Sequence, residues 1–185
     1  LEAGLLELLL GEGTLAHQHL VEQHPEGVDV GAGVDQLEVP GGLLLASRES
    51  GLCLFDRERR VFVAPIADPD ESPLELMRID SHDGETVWGM TYSGLVVRYD
   101  LEAGTRTRFP GGTEETKALQ GATWSDLLVD KEGRPWFASI NRGLVYYAEG
   151  AFHGLTHRPG DVRSLPANPL RSLYEDRGRN LWIGG

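Results

Sequence analysis

The chain has 185 residues, with 29 acidic and 17 basic side chains and a formal net charge of −12. This balance argues against wrapping nucleic acid or docking on an anionic membrane, and favours partners that are neutral, cationic or sugars. Glycine, at 24 of 185 residues, is nearly double the roughly 7% of average usage, and 10 prolines join it, so turns are plentiful. The one cysteine, Cys53, forms no internal disulfide and reads as a buried strand residue between Leu52 and Leu54, which leaves the redox compartment open.

Taken in chain order, helical spacing persists beyond about three turns nowhere except at Leu1 to Leu10. His17 and His19 share one face if "HQH" is a strand, and His24 follows, but no helix or loop spacing supports a zinc site, so no metal is expected. The "GAG" at Gly31 to Gly33 is followed by Gln36 where a dinucleotide fingerprint needs glycine, and no helix pattern follows. There is no Gly-x-Ser-x-Gly elbow, and the scattered Ser, His and Asp residues assemble into no triad. No cofactor is expected.

The rest of the chain repeats itself. "IDSHDGETVWGMTYSGLVVRYD" around Trp88, "VDKEGRPWFASINRGLVYY" around Trp136 and "SLYEDRGRNLWIGG" around Trp182 recur at a period in the mid-forties. "PGGLLLASRESGLCLFDRE" aligns with the Trp136 unit without a gap, with Leu44 in place of tryptophan. A fifth and weaker candidate is "LELLLGEGTL", Leu6 to Leu15, with Leu9 in the same role. Each unit opens with an apolar run that ends in aspartate. Next come a polar turn, the tryptophan or leucine strand, and a third strand opened by Gly-Leu. "GLVVRYD" alternates cleanly, with Leu95, Val97 and Tyr99 on one face and Val96, Arg98 and Asp100 on the other, which is strand periodicity. A turn at Asp100 to Gly104 leads to "TRTRF", whose Arg106 and Arg108 suit a solvated outer edge.

Four short antiparallel strands per period of this length is the arithmetic of a propeller blade. The expected fold is therefore all-β, a β-propeller fragment of about four blades, each a four-stranded antiparallel sheet. The blades are placed at 41–80, 81–125 and 126–170, with a weak blade at 1–40 and the start of another at 171–185. Trp88, Trp136 and Trp182, repeated once per blade, are expected to pack between neighbours rather than to stack on a ligand. Asp130 and Asp176 are expected to cap their turns through backbone N–H groups.

Residues that differ between blades are the better ligand candidates. The loop between second and third strands opens on the same face as the loop between blades. That places Arg48 to Ser50, Tyr92-Ser93 and Asn141-Arg142 on one rim, with Arg158 and Asp161 of an inter-blade loop near them. The arginines and Asn141 suit hydroxyls or carboxylates of a glycan.

The stretch from Gly154 to Gly185 resembles the two-component regulator propeller repeat, through Ser164-Leu165, Asn168, Glu175-Asp176 and Leu181-Trp182-Ile183-Gly184 in order. The Trp136 unit matches in part through Asp130, Gly133, Trp136 and Gly143-Leu144. Gly185 departs from the threonine of that pattern, and Leu44 from its tryptophan. The resemblance implies the extracytoplasmic, ligand-detecting part of a membrane-bound bacterial receptor, and no enzyme in these residues. Its output would be a histidine kinase or a diguanylate cyclase on the same longer chain. It implies a small-molecule or oligosaccharide ligand, a periplasmic location, the remaining blades and output domain as partners, and room for a receptor homodimer. No apolar run approaches 18 residues, no basic-then-apolar leader is present, and the last residue falls within a strand. The expectation is a piece of a longer protein, prone to aggregate through its blade edges. The alternatives are an extracellular propeller enzyme acting on polysaccharide, with His82, Asp83 or His153 as acid or base, and a protein-binding scaffold.

Overall fold

The tight turn at Pro40-Gly41 folds Asp35–Val39 (β1) back on Gly42–Ser47 (β2), and the same antiparallel logic builds every sheet of the protein. The computed structural model describes residues 35–48, 51–63 and 74–185. β1 and β2 are completed by Gly51–Asp56 (β3) and Val61–Val63 (β4). The second sheet holds Leu76–Asp80 (β5), Thr86–Thr91 (β6), Val96–Asp100 (β7) and Thr105–Phe109 (β8). Trp124–Val129 (β9), Pro135–Ser139 (β10), Gly143–Ala148 (β11) and Ala151–Leu155 (β12) form the third. Ser172–Glu175 (β13) and Leu181–Gly184 (β14) pair as the start of a fourth.

The described residues thus form a β-propeller of three complete blades and two strands of the next. The first two sheets begin one strand earlier than the expected boundaries at 41 and 81, while the third begins at Trp124, two residues before 126. Asp35–Val39, placed at sequence level in a weak blade over 1–40, pairs with β2, and Leu76–Asp80 pairs with β6 rather than closing the sheet before it. The reason is physical: a turn of two to five residues joins each apolar run to the tryptophan strand after it, so the two pair locally. Leu6 to Leu15, His17, His19, His24 and the glycines at 31–33 lie outside the described residues.

The core lies between sheets. Leu44, Ala46 and Leu52 of the first blade meet Leu76, Ile79, Val87, Val97 and Tyr99 of the second. Trp88, Met90 and Val96 of the second meet Trp124, Leu127, Phe137, Val145 and Phe152 of the third. Consequently both faces of β7 are covered, Val97 and Tyr99 toward the first blade and Val96 toward the third, which alternation alone did not show. Fully burying one such side chain stabilises by about 1.5–3 kcal/mol, so the blades hold one another by packing.

Trp88 is 4% exposed among Phe109, Phe137, Tyr147 and Phe152. Trp136 is half-buried with Leu165 and Leu181, while Trp182 stands 61% exposed. Arg106 and Arg108 are half-buried rather than solvated, with Arg106 beside the Tyr99 hydroxyl.

The Gly-Leu that opens each third strand has a backbone cause. Gly51, Gly94 and Gly143 take φ of 68°, 90° and 76°, the left-handed region that a side chain disfavours. A short hydroxyl closes the same loop. Thr91 Oγ1 lies 2.9 Å from Ser93 Oγ and accepts the N–H of Leu95, and Ser139 Oγ accepts the N–H groups of Asn141 and Arg142.

In the third and fourth blades the opposite end is pinned by aspartate, as expected, and by a bond not expected. Asp130 Oδ1 accepts the N–H groups of Glu132 and Arg134, and Asp176 Oδ1 that of Asn180. The second oxygen of each takes the indole N–H of the tryptophan six residues on, at 2.8 Å in both. In the second blade Asp83 does the turn's work, accepting from Glu85, Thr86 and Ser81.

Candidate functional site: the rim between blades

Arg48, Tyr92 and Ile140 hold the same place in three successive blades, just past the end of the second strand, and each carries a different chemistry. Arg48 and Tyr92 meet across the first and second blades. The guanidinium carbon lies 5.4 Å from the Tyr92 ring centroid, and Nε lies 3.7 Å from Glu75 Oε2. Glu75 also accepts the Tyr92 N–H through its backbone carbonyl at 3.2 Å. The result is a tyrosine, 48% exposed, with a guanidinium over its ring and a carboxylate alongside. An exposed ring with a guanidinium over one face, and a carboxylate paired to that guanidinium, suits a ligand that combines apolar C–H surface with hydroxyl or carboxylate groups. Glu49 and Ser50 lie outside the described residues.

Asn141 is committed to its own scaffold. Its Oδ1 accepts the N–H of Thr123, and its Nδ2 donates to Gly121 O. The side chain thereby ties the loop of the third blade to the connection that enters it. Arg142, next to it, is exposed and reaches alongside Gly121. Trp124, at the head of β9, donates its indole N–H to Gly94 O at 2.9 Å and fastens the same connection to the second blade.

Arg158 and Asp161 belong to the connection before β13. Its form is set by Ser164, whose Oγ accepts the Arg158 N–H and donates to a neighbouring carbonyl, and by Asn168 Oδ1, which accepts the His157 N–H at 2.7 Å. Asp161 Oδ1 accepts the Arg163 N–H, and its carboxylate lies 3.7 Å from Nε of the same residue. The Ser-Leu and Asn of the repeat pattern are therefore loop-building residues. The structure brings Arg48 and Tyr92 together and sets Asn141 and Arg142 side by side, while Arg158 and Asp161 keep to their own loop. Glu75 was missed at sequence level, because within "LELMRID" it reads only as a polar residue of an apolar run.

The acid–base candidates do not converge. His153 lies on β12, its ring stacked on Tyr146 at 5.1 Å, whereas His82 and Asp83 sit in the turn between β5 and β6 of another blade. Asp83 is occupied by its turn, and the N–H bonds from Thr86 and Glu85 draw its carboxyl below the ordinary range against a counteracting burial effect. Among the described residues no group of three or more His, Cys, Asp or Glu side chains could hold a metal ion.

Blades of four antiparallel strands, a core between sheets and variable loops on one rim define a β-propeller with a candidate binding rim. The sequence matches no protein-family profile and no curated protein. Among solved structures, the chain is similar to the extracellular domain of the hybrid two component system BT3049 from B. thetaiotaomicron. The TM-score is 0.64 at 19% identity, over 88% of this chain and 23% of that one. The extracellular domain of the one component system BT4673 from the same organism gives 0.57 at 16% identity, over 88% of this chain and 27% of that one. Virginiamycin B lyase from Staphylococcus aureus gives 0.58 at 14% identity, over 84% and 50%. The likeness is one of fold, and the chain spans about a quarter of the length of the two extracellular domains.

Proposed function

We propose that the chain is part of the ligand-sensing propeller of a bacterial membrane-bound receptor, lies on the extracytoplasmic side, and takes an oligosaccharide at the Arg48–Tyr92 rim. The observation that carries this reading is the exposed Tyr92 with Arg48 over its ring and Glu75 beside it, a polar-and-aromatic surface shared by two blades. The fold likeness to extracellular domains of signalling systems supports it. Arg142 adds a second exposed donor farther along the rim, and Arg158 with Asp161 a third polar loop.

Because Arg48 comes from one blade and Tyr92 from the next, a bound glycan bridges the two and favours one inter-blade arrangement. Differential affinity of this kind is what a sensor needs, since a ligand that binds two states equally shifts neither. The signal passes to an output domain on the same longer chain, a histidine kinase or a diguanylate cyclase.

The test is a thermal-shift series with short neutral and uronate-containing oligosaccharides on the wild-type chain and on Tyr92→Ala. At least one sugar should raise the wild-type midpoint and leave that of the variant unmoved. Equal shifts in both proteins would remove the rim from the account.

A further inference from the structure

Arg78 and Asp80 are two residues apart on β5, so both side chains project from one face of that strand. The first strands of neighbouring blades lie against one another and form the inner wall. On that wall Asp35 of β1 and Asp126 of β9 take the position that Arg78 takes on β5, opposite Ala46, Ala138 and Met90 of the respective second strands. Arg78 reaches both neighbours, with Nη1 3.6 Å from Asp35 Oδ1 and Nε 3.6 Å from Asp126 Oδ1.

Each of the three carboxylates also sends one oxygen to a backbone N–H of the following blade. Ile79 N donates to Asp35 Oδ2 at 2.9 Å, Val129 N to Asp80 Oδ2 at 2.6 Å, and Leu173 N to Asp126 Oδ2 at 2.8 Å. One guanidinium thus serves a wall of three carboxylates, and its two ion pairs go to Asp35 and Asp126. Asp80 is held by backbone amides, those of Val129 and of Ser81.

We propose that this wall is a proton-dependent joint, in which protonation of Asp80 relieves the crowding of three carboxylates around one guanidinium and stabilises the packing of the blades. A neutral carboxyl keeps its carbonyl oxygen for the Val129 N–H and ends the repulsion from Asp35 and Asp126, which leaves Arg78 to balance those two. The charged groups that act on Asp80 are Asp35 from β1 and Asp126 from β9, both paired to Arg78, two residues before Asp80 on its own strand. Burial, then the two neighbouring carboxylates, push the Asp80 carboxyl up, and the two N–H bonds oppose them without cancelling the rise.

The sign follows from linkage. A carboxyl raised in the folded state binds its proton more tightly folded than unfolded, so its stabilising effect is full below the ordinary aspartate value of 3.8 and is lost as pH rises through the folded value. Acid therefore strengthens this joint, the reverse of the usual carboxylate.

The experiment follows the Val129 amide of the 185-residue chain by ¹⁵N NMR through a pH titration, beside urea unfolding of wild type and Asp80→Asn. The Val129 resonance should move with a midpoint above 3.8 in wild type and lose that step in the variant. Asp80→Asn should be at least as stable as wild type at neutral pH, and wild type should close the gap as pH falls toward the ordinary aspartate value of 3.8. If the asparagine variant does not fold, Arg78→Gln serves, because removing the cation should raise the Val129 midpoint further. A Val129 amide that is silent above 3.8, a neutral-pH loss of stability in a folded Asp80→Asn, or a midpoint unmoved by Arg78→Gln would each overturn the proposal.

Discussion

The indole N–H of Trp136 donates to Asp130 Oδ2 at 2.8 Å, so the aspartate that shapes the turn also fixes the ring that packs against the next blade. Asp130 is buried and accepts two backbone N–H groups as well. Asp130→Ala should therefore cost about 2–3 kcal/mol, and Trp136→Phe, which keeps an aromatic ring but loses the donor, about 1 kcal/mol. Urea denaturation of the two variants and their combination checks this. Additive losses would show that the bond carries no coupling.

The loop that opens each third strand should tolerate no side chain. At Gly143, with φ 76°, an added Cβ would face the backbone carbonyl of Leu155. Gly143→Ala should destabilise by about 1–2 kcal/mol, whereas an alanine at Gly104, where φ is 64° but nothing crowds the added atom, should cost less. Thermal unfolding of the pair separates backbone strain from crowding.

The turn at Asp176 should give the protein an acid limb. Hydrogen bonds from the Asn180 side chain, the Asn180 N–H and the Trp182 indole lower its carboxyl to about 2. A carboxyl lowered in the folded state contributes stability above its unfolded value of 3.8, and that contribution is lost as pH falls from there through about 2. Side-chain carboxyl NMR should place the Asp176 midpoint near that lower value. A midpoint at the ordinary aspartate value would mean that the indole and amide bonds do not form in solution.

Two adjacent rim residues should separate scaffold from surface. Asn141 bonds Thr123 and Gly121 through both ends of its amide, so Asn141→Ala should cost about 1–3 kcal/mol of stability. Arg142 is exposed, and Arg142→Ala should stay within about 0.5 kcal/mol of wild type while weakening any ligand that reaches it. Chemical denaturation tests the first half, and binding of an oligosaccharide that shifts the wild-type midpoint tests the second.

The blades were legible in the sequence because each carries its own turn chemistry. Gly51, Gly94 and Gly143 mark loops where only the left-handed region closes the turn, and Asp130 and Asp176 mark turns that need an acceptor for backbone N–H groups. Blade phase was harder to read, since an apolar run such as Leu76–Asp80 carries no sign of which neighbouring strand it pairs with. The inner wall and the rim were hidden for a related reason. Asp35, Arg78 and Asp126 are far apart in the chain and become neighbours only because equivalent strand positions in successive blades stack side by side. Glu75 and Arg48 meet in the same way, and nothing local in either segment announces it. Asn141 reads as a ligand contact in the sequence because a polar residue at a loop tip looks the same whether it faces solvent or ties down the loop beside it.

The most direct test of the sensing account is to map the ligand contact. With a short oligosaccharide that raises the unfolding midpoint, ¹⁵N NMR shift changes should cluster at Arg48, Glu75 and Tyr92, spread from there across the first and second blades, and disappear in Tyr92→Ala. Changes confined to the outer strands, or a pattern unaltered by Tyr92→Ala, would contradict it.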